Sequence, residues 1–129
     1  MRDRVAEARV ARLATVTPDG RPHVVPCCFA LVGDTIYSAV DGKPKSTLAL
    51  QRLANVAATP AASLLVDHYD DDWSTLWWVR VDGSARIVAD ADERAVALHH
   101  LRARYPQYEE TPPPGDVLAI DATRWRSWP

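Results

Sequence analysis

Tight turns divide the first third of the sequence into apolar, β-branched runs. The positions of these turns constrain the fold more than any other feature. The first turn, Pro-Asp-Gly-Arg at residues 18–21, separates residues 11–17 from residues 22–32. The second, Gly-Asp at residues 33–34, separates that run from residues 35–40. Proline presets φ at the first position of a turn and glycine tolerates positive φ, so both sites favour hairpins. Three consecutive antiparallel strands are therefore predicted.

A helix is predicted to follow the third strand. A hydroxyl at Ser46 or Thr47 can accept an unpaired backbone N–H of the first turn, and Pro60 ends the helical pattern. Its apolar residues recur at helical spacing and are expected to face the sheet: Leu50, Leu53, Ala54 and Ala57.

The remaining pattern completes an antiparallel fold. Three more strands are predicted at residues 62–71, 75–88 and 116–128, with a helix at residues 91–105 that begins at an Asp-x-x-Glu capping box. A short amphipathic helix is predicted within residues 1–10. Because the strands are joined by short turns and the helices are insertions, we expect a single α+β, mainly β domain, an antiparallel six-stranded barrel.

Composition excludes several classes of partner. The 129 residues carry 15 basic and 17 acidic side chains, so no overall basic field exists for nucleic acid or an anionic membrane. No apolar run reaches the roughly 20 residues needed to cross a bilayer, and the charged first residues lack the apolar centre of a secretory signal. We therefore expect a cytoplasmic protein that binds neither nucleic acid nor membrane.

The cysteines and histidines do not predict a metal site. Cys27 and Cys28 are adjacent, and neighbouring side chains on a strand point to opposite faces, so both are expected to be reduced thiols. His68, Asp70 and Asp72 share one strand face and could bind a hard metal, but an acidic hairpin tip is more often solvated. No bound metal is expected.

Positive charge is concentrated where the third strand gives way to the first internal helix. Lys43 and Lys45 precede the hydroxyl groups of Ser46 and Thr47. A helix N-terminus offers unpaired N–H groups and about half a positive charge. The segment therefore predicts an anion site of the size of a phosphate, although two lysines on a surface turn are also compatible with simple solvation.

Four segments stand in order before a closing strand that contains tryptophan: LATVTPDGRPHVVPCCF, TIYSAVDGKPKST, ANVAATPAASLLV and WVRVDGSARIV. Their order and spacing resemble the pyridoxamine 5'-phosphate oxidase-like split β-barrel superfamily of flavin and deazaflavin proteins, over nearly the whole chain. The resemblance implies a split β-barrel, a homodimer, and two cofactors bound in clefts between the subunits.

The resemblance also implies which residues bind the cofactor. The strand that lays its backbone against the cofactor ring corresponds to Val25, Pro26, Cys27 and Cys28. The strand end near the ribityl chain and the phosphate corresponds to Tyr37, Ser38 and Ala39. Arg21, Arg52 and Arg80 are either candidates for an acidic cofactor tail or ordinary surface charges.

The phosphate-binding turn departs from the flavin pattern. Flavin-binding members of the superfamily carry an Arg-Lys pair at the helix entry, where this chain has Pro44-Lys45, with Lys43 one position earlier. The order Lys43-Pro44-Lys45 resembles the branch that uses the deazaflavin coenzyme F420, whose elongated anionic tail suits separated cations. The resemblance thus implies an F420-dependent oxidoreductase that transfers hydride to a small organic acceptor, without a side chain that stands out as catalytic.

Two alternatives to that function are open. One is an FMN-dependent oxidoreductase. The other is a protein that binds or carries a flavin, F420 or haem without turnover, for which His23 or His68 could serve as the haem ligand.

Tryptophan is abundant, with five residues in the chain. Large rings of this kind fill small cores and subunit interfaces. In the resembled family, an aromatic residue from the loop and strand that correspond to the segment around Trp73 and Trp77 can reach the partner subunit's cofactor. Trp73 or Trp77 is therefore the candidate in this chain. Trp77 and Trp78 alternate along a predicted strand, so only one of the two is expected to face a cofactor.

Overall fold

A computed structural model describes residues 1–39, 47–110, 113 and 115–129, with the backbone alone for residues 47–50. In chain order the elements are α1 (Arg2–Glu7), β1 (Ala11–Val16), β2 (Pro22–Cys27), β3 (Ala30–Val32), β4 (Thr35–Ala39), α2 (Thr47–Ala58), β5 (Ala61–His68), a 3₁₀ turn (Trp73–Thr75), β6 (Trp77–Ile87), α3 (Ala91–Arg104), α4 (Gln107–Glu110) and β7 (Val117–Trp128). Each helix in these ranges is too short or too polar to cross a bilayer.

The strands form one antiparallel sheet in the order β2-β1-β5-β6-β7-β4-β3. The edge strands β2 and β3 are consecutive in the chain and are joined by only Cys28 and Phe29. The two edges must therefore meet at one corner, which we call the β2 corner, and the sheet curls into a split barrel. The predicted mainly β antiparallel fold is confirmed, with seven strands in place of six.

The extra strand arises because the predicted strand at residues 22–32 is broken. β2 pairs with β1, whereas β3 pairs with β4 at the opposite end of the sheet. At the break, the Phe29 ring is fully buried and its backbone N–H donates to the hydroxyl of Tyr105 at 3.0 Å. The Phe29 N–H therefore bonds a side chain distant in the sequence and not the backbone of a neighbouring strand. The prediction of one continuous strand is wrong.

Both predicted hairpin turns are confirmed. Gly20 and Gly33 have φ values of 87° and 61°, a region that side chains with a Cβ rarely adopt. In the first turn the N–H of Thr17 donates to the carbonyl of Arg21 at 2.8 Å. These turns join β1 to β2 and β3 to β4.

The concave face of the sheet encloses the main core. Its largest fully buried side chains come from most of the strands and include Leu13, Phe29, Ile36, Leu64, Val79, Val81, Leu118 and Ile120. Val5 of α1 joins this core, as the amphipathic pattern of the first residues predicts.

Helix α2 covers the core with a different face from the predicted one. Asn55 and Val56 are buried, whereas Ala54 and Ala57 are exposed, and Leu53 is half-buried against the core. The Asn55 side-chain amide donates to the Thr15 hydroxyl at 3.1 Å, which turns the polar residue toward the sheet. The predicted stripe is therefore wrong at both alanines, and the side chain of Leu50 lies outside the described residues.

Helix α3 packs on the convex face of the sheet, over β3, β4 and the start of β7. The apolar contacts join Ala97, Leu101 and Tyr105 of the helix to strand residues that include Ala30, Tyr37, Ala39, Val117 and Ala119. The helix begins as predicted, because the Asp90 carboxylate accepts a hydrogen bond from the Glu93 N–H at 2.8 Å. We call this region the covered face.

The convex face over β2, β1, β5 and the first half of β6 has no helix packed on it among the described residues. We call it the open face. Its side chains include Arg12, Ala14, Val24, Ser63, Leu65, Asp67, Trp78 and Arg80.

Candidate functional site

The β2 corner brings together residues that the sequence places ten positions apart. Cys27 points into the barrel and is 8% exposed, whereas its neighbours Pro26 and Cys28 are exposed. Ser38 of β4 is buried beside them, and its hydroxyl donates to the carbonyl of Cys28 at 2.8 Å. Val25 packs against the core. Since β2 is an edge strand, the backbone along its free edge is available to a ligand.

The two thiols of the corner differ in environment. Both cysteines are free, in agreement with the prediction of reduced thiols. Burial raises the pKa of Cys27 to about 11, although the charge of Arg52 and a hydrogen bond with Ser38 oppose this rise. Cys27 is therefore a buried, protonated thiol at pH 7. Cys28 is the thiol that is accessible to solvent or to a ligand.

Tyr37 and Ala39, also predicted near the cofactor, face the other side of the sheet. Both pack against α3 in the covered face. The Tyr37 hydroxyl donates to the Glu93 carboxylate at 2.7 Å, and burial together with this bond raises the pKa of Tyr37 to about 12. Of the three β4 residues, the structure brings only Ser38 to the β2 corner.

The predicted anion turn lies outside the described residues. This applies to Lys43, Lys45 and Ser46, and also to the side chain of Thr47, although α2 does begin at Thr47. The assignment of these residues to a phosphate site stays a prediction.

One arginine that the sequence leaves open, as a candidate for an acidic cofactor tail or as a surface charge, acts electrostatically on the corner. Arg52 of α2 is half-buried, and its Nε atom is fully buried without a hydrogen-bond partner in the described part of the chain. His23 lies on the inner face of β2, opposite Thr15. Its Nδ1 atom is also buried and has no hydrogen-bond partner among the described residues. The spacing of Arg52, three residues before the buried Asn55, is the sequence signal for this placement, but it requires knowing that Asn55 faces inward.

The tryptophans near the acidic hairpin have different neighbours. The Trp77 ring is half-buried, with the Arg4 guanidinium 4.6 Å from its centroid and the His68 ring stacked at 6.4 Å. Trp73, on the 3₁₀ turn, is 70% exposed. Trp77 and Trp78 alternate along β6 as predicted: Trp77 packs against the core and Trp78 lies on the open face, although both rings border one cavity there.

A cavity of about 440 Å³ lies on the open face. Its walls are apolar and aromatic, with Leu65, Tyr69 and Trp78 among them, and Arg12, Arg80 and His68 stand at its borders. Arg80 pairs with Asp82 at 3.0 Å, whereas Arg12 has no ion-pair partner among the described side chains. Such a surface suits either a planar anionic ligand or an apolar partner.

The acidic hairpin is not arranged as a metal site. Asp72 caps the 3₁₀ turn by accepting from the N–H of Ser74, and His68 contacts Asp70 at 3.3 Å. Within the described ranges, no group of three or more metal-binding side chains converges.

Comparison with solved structures places this architecture among known proteins. A conserved hypothetical protein from Mycobacterium tuberculosis is similar, with 26% identity and a TM-score of 0.78 over 98% of this chain and 80% of the other. An FAD-binding protein from Mesorhizobium loti has 20% identity and a TM-score of 0.75 over 98% and 89% of the two chains. A haem-binding protein from Mycobacterium smegmatis has 21% identity and a TM-score of 0.77, over 96% of this chain and 50% of the other.

The antiparallel curled sheet is that of a split barrel. The family model described as pyridoxamine 5'-phosphate oxidase matches residues 1–129, and the chain belongs to this family. No curated protein sequence matches it significantly.

Proposed function

We propose that this protein is an oxidoreductase that binds coenzyme F420 and transfers hydride to a small organic acceptor. The observation that carries the proposal is the β2 corner within a pyridoxamine 5'-phosphate oxidase fold. There, an unpaired strand edge ends at the exposed Pro26 and Cys28, beside the buried Ser38 and the half-buried Arg52. A strand edge of this kind can lie against a flat ring, and the cation can hold an anionic group.

The sequence between β4 and α2 supports F420 over FMN. Lys43 and Lys45 are separated by Pro44 and are not joined in an Arg-Lys fork. Separated ammonium groups suit an elongated anion with a phosphodiester and a carboxylate tail better than one compact phosphate. FMN is the alternative cofactor.

F420, when bound, supplies the hydride chemistry. The residues of this chain bind and orient the ring and keep water from it. Cys27 contributes a neutral thiol to the inner wall, because its pKa of about 11 keeps it protonated at pH 7. Ser38 fixes the carbonyl of Cys28, so the strand end holds one geometry when a ligand arrives.

A second copy of the chain is proposed to cover the open face. Sheet faces with large apolar side chains are normally packed against another layer, and none of the described elements packs here. Arg12 and Asp67 both line the cavity of this face, so a twofold axis can pair each arginine with the partner's carboxylate. The exposed Trp73 borders the same end of the sheet and is the proposed contact to the partner's cofactor.

A haem carrier is the second candidate function. One observation favours it: His68 borders the open-face cavity together with Arg12 and Arg80, and an imidazole with two guanidinium groups suits haem iron and its propionates. This alternative uses the open face, whereas the oxidoreductase uses the β2 corner.

Titration of the purified protein with F420, FMN and haem tests these functions. We expect F420 to bind more tightly than FMN, and the oxidation of reduced F420 to accelerate when the protein and a quinone or nitroaromatic acceptor are both present. Tight F420 binding without turnover for any acceptor would favour a carrier of F420. Haem binding that is lost in His68→Ala, with no binding of F420 or FMN, would establish the second candidate instead.

A further inference from the structure

Arg52 faces the sheet because of its spacing from Asn55. Asn55 is fully buried; its amide donates to the Thr15 hydroxyl at 3.1 Å, and its side-chain oxygen accepts from Gln51 at 2.7 Å. Residues three apart share one side of a helix, so Arg52 extends from α2 toward the same surface. Its charge opposes the rise in the pKa of the Cys27 thiol, so the guanidinium lies within electrostatic range of the β2 corner.

Other half-buried arginines of the described chain donate to acceptors within the chain. Arg104 donates to the carbonyl of Phe29 at 3.1 Å and to that of Ala8. Arg94 donates to the carbonyl of Gly115 at 2.8 Å. Arg52 differs, because its buried Nε has no acceptor and it forms no ion pair with a described residue.

The neighbours of Arg52 that the structure identifies are neutral. Cys27 is protonated at pH 7, and Ser38, which hydrogen-bonds the thiol and the Cys28 carbonyl, is a hydroxyl. A buried cation next to neutral groups costs stability unless an anion joins it. This arrangement is expected for a binding residue whose partner is a ligand.

We propose that Arg52 is an anion ligand of the β2 corner, donating from its guanidinium to phosphate or carboxylate oxygens of the molecule that lies against β2. The inference rests on the proposed function and deepens it, since it names the residue that holds the ligand's charge. The anion has two sources, the cofactor's phosphate or an acidic group of the acceptor.

The test compares Arg52→Met and Arg52→Lys with the wild type, with Arg102→Met as the matched control, a half-buried arginine on α3. The four ligands are FMN and riboflavin, and F420 and the deazaflavin nucleoside that lacks its phosphodiester tail. If the anion belongs to the cofactor, Arg52→Met weakens the binding of FMN and F420 by tenfold or more, as for a lost charge-assisted hydrogen bond. The affinities of the two ligands that lack the phosphate change by no more than about twofold. Arg52→Lys retains part of the affinity, and the control retains all of it.

For the acceptor source, cofactor affinity is unchanged in Arg52→Met. The KM then rises for a sulfonated naphthoquinone but not for its neutral parent. Either pattern supports Arg52 as the anion ligand and identifies which molecule it holds.

The melting temperature without ligand separates this role from a structural one. Arg52→Met removes a half-buried cation whose Nε has no partner among the described residues, so the unliganded variant is expected to melt at the same or a higher temperature than the wild type. A lower melting temperature together with an equal loss of charged and uncharged ligands would overturn the inference. So would unchanged affinities and KM values in a wild type that binds F420 or FMN, which leaves the proposed function standing. A wild type that binds none of the four ligands contradicts the proposed function itself and this inference with it.

Discussion

The covered face and the open face belong to the same convex surface of one sheet, yet their side chains differ in size and charge. Under α3 the strands present small residues such as Ala30, Ala39 and Ala119, which let a helix lie close. Over β1, β5 and β6 the strands present Leu65, Trp78 and arginines. The first set of residues receives an element of the same chain, and the second set is suited to a separate molecule.

The polar groups show the same contrast. At the covered face, Arg86 is satisfied by Glu93 and Asp121, and Tyr37 adds a further bond to Glu93. At the open face, Arg12 and Asp67 line one cavity without an ion pair between them. Charges that are satisfied within the chain indicate intramolecular packing, and unsatisfied charges on an apolar surface indicate a partner.

The largest effect is expected when matched leucines are truncated on the two faces. Leu101→Ala, at a fully buried position of α3, should lower the free energy of unfolding by about 2–5 kcal/mol, because it leaves a cavity. Leu65→Ala, at a half-buried position, should cost less in the monomer. Urea unfolding at two protein concentrations measures both. The loss of unfolding free energy in Leu65→Ala should depend on protein concentration, whereas the loss in Leu101→Ala should not. Equal losses that do not depend on concentration would contradict the distinction between the faces.

A charge placed on the open face should separate the subunits. Leu65→Glu buries a carboxylate in the proposed interface, so the dimer dissociation constant should rise at least tenfold, as at an interface hot spot. Analytical ultracentrifugation measures this change. Val96→Glu, at an exposed apolar position of α3, is the control and should leave the dimer intact. A wild-type protein that is monomeric at micromolar concentration would rule out the proposed interface.

Acid should weaken the covered face through Glu93. The hydrogen bonds from Arg86 and Tyr37 lower the pKa of Glu93 to about 2 from 4.5. This stabilisation is fully present above pH 4.5 and is lost as the pH falls from 4.5 to 2, because the folded state must then bind a proton that it holds weakly. Glu93→Gln should cost about 1 kcal/mol at pH 7, as for a partly exposed ion pair, and should flatten the stability curve in that window.

Unfolding followed by circular dichroism between pH 2 and pH 7 measures the curve. Asp71→Asn, at an exposed position of the acidic hairpin, is the control. A wild-type curve that keeps the same slope in Glu93→Gln would show that another carboxylate is responsible.

The smallest effect is expected from a charge exchange across the open face. Arg12→Asp should weaken the dimer several-fold, and adding Asp67→Arg should restore most of that loss, a coupling of about 0.5–1 kcal/mol for a solvent-accessible pair. Sedimentation equilibrium measures the dimer dissociation constants of both single variants and of the double variant, which together give the coupling energy of the pair. Additive losses in the double variant would exclude this pairing.

Local signals account for much of the fold. Turns with glycine or proline, the Asp90 cap and the apolar alternation of the strands act over a few residues and are confirmed. The break at Phe29 could not be predicted, because it depends on a hydroxyl 76 positions further along the chain. The face of α2 was mispredicted because Asn55 is turned inward by one hydrogen bond to Thr15.

The site was predictable to a lesser extent. The family resemblance brings Cys27, Cys28 and Ser38 to one place, as the structure also does. It gives no sign that Tyr37 is held under α3 by Glu93. Nor does composition distinguish Arg52 from a surface charge, because burial of its Nε follows from the tertiary position of α2.

Tyr105 gives the β2 corner a thermodynamic connection to the far end of α3. Its hydroxyl receives the N–H of Phe29 and lies 3.0 Å from the carbonyls of Phe29 and Arg9. The last turn of α3 therefore cannot fray without releasing the link between the two edge strands. Amide hydrogen exchange in that turn and at the corner should slow together when a ligand binds at the corner, as one cooperative unit.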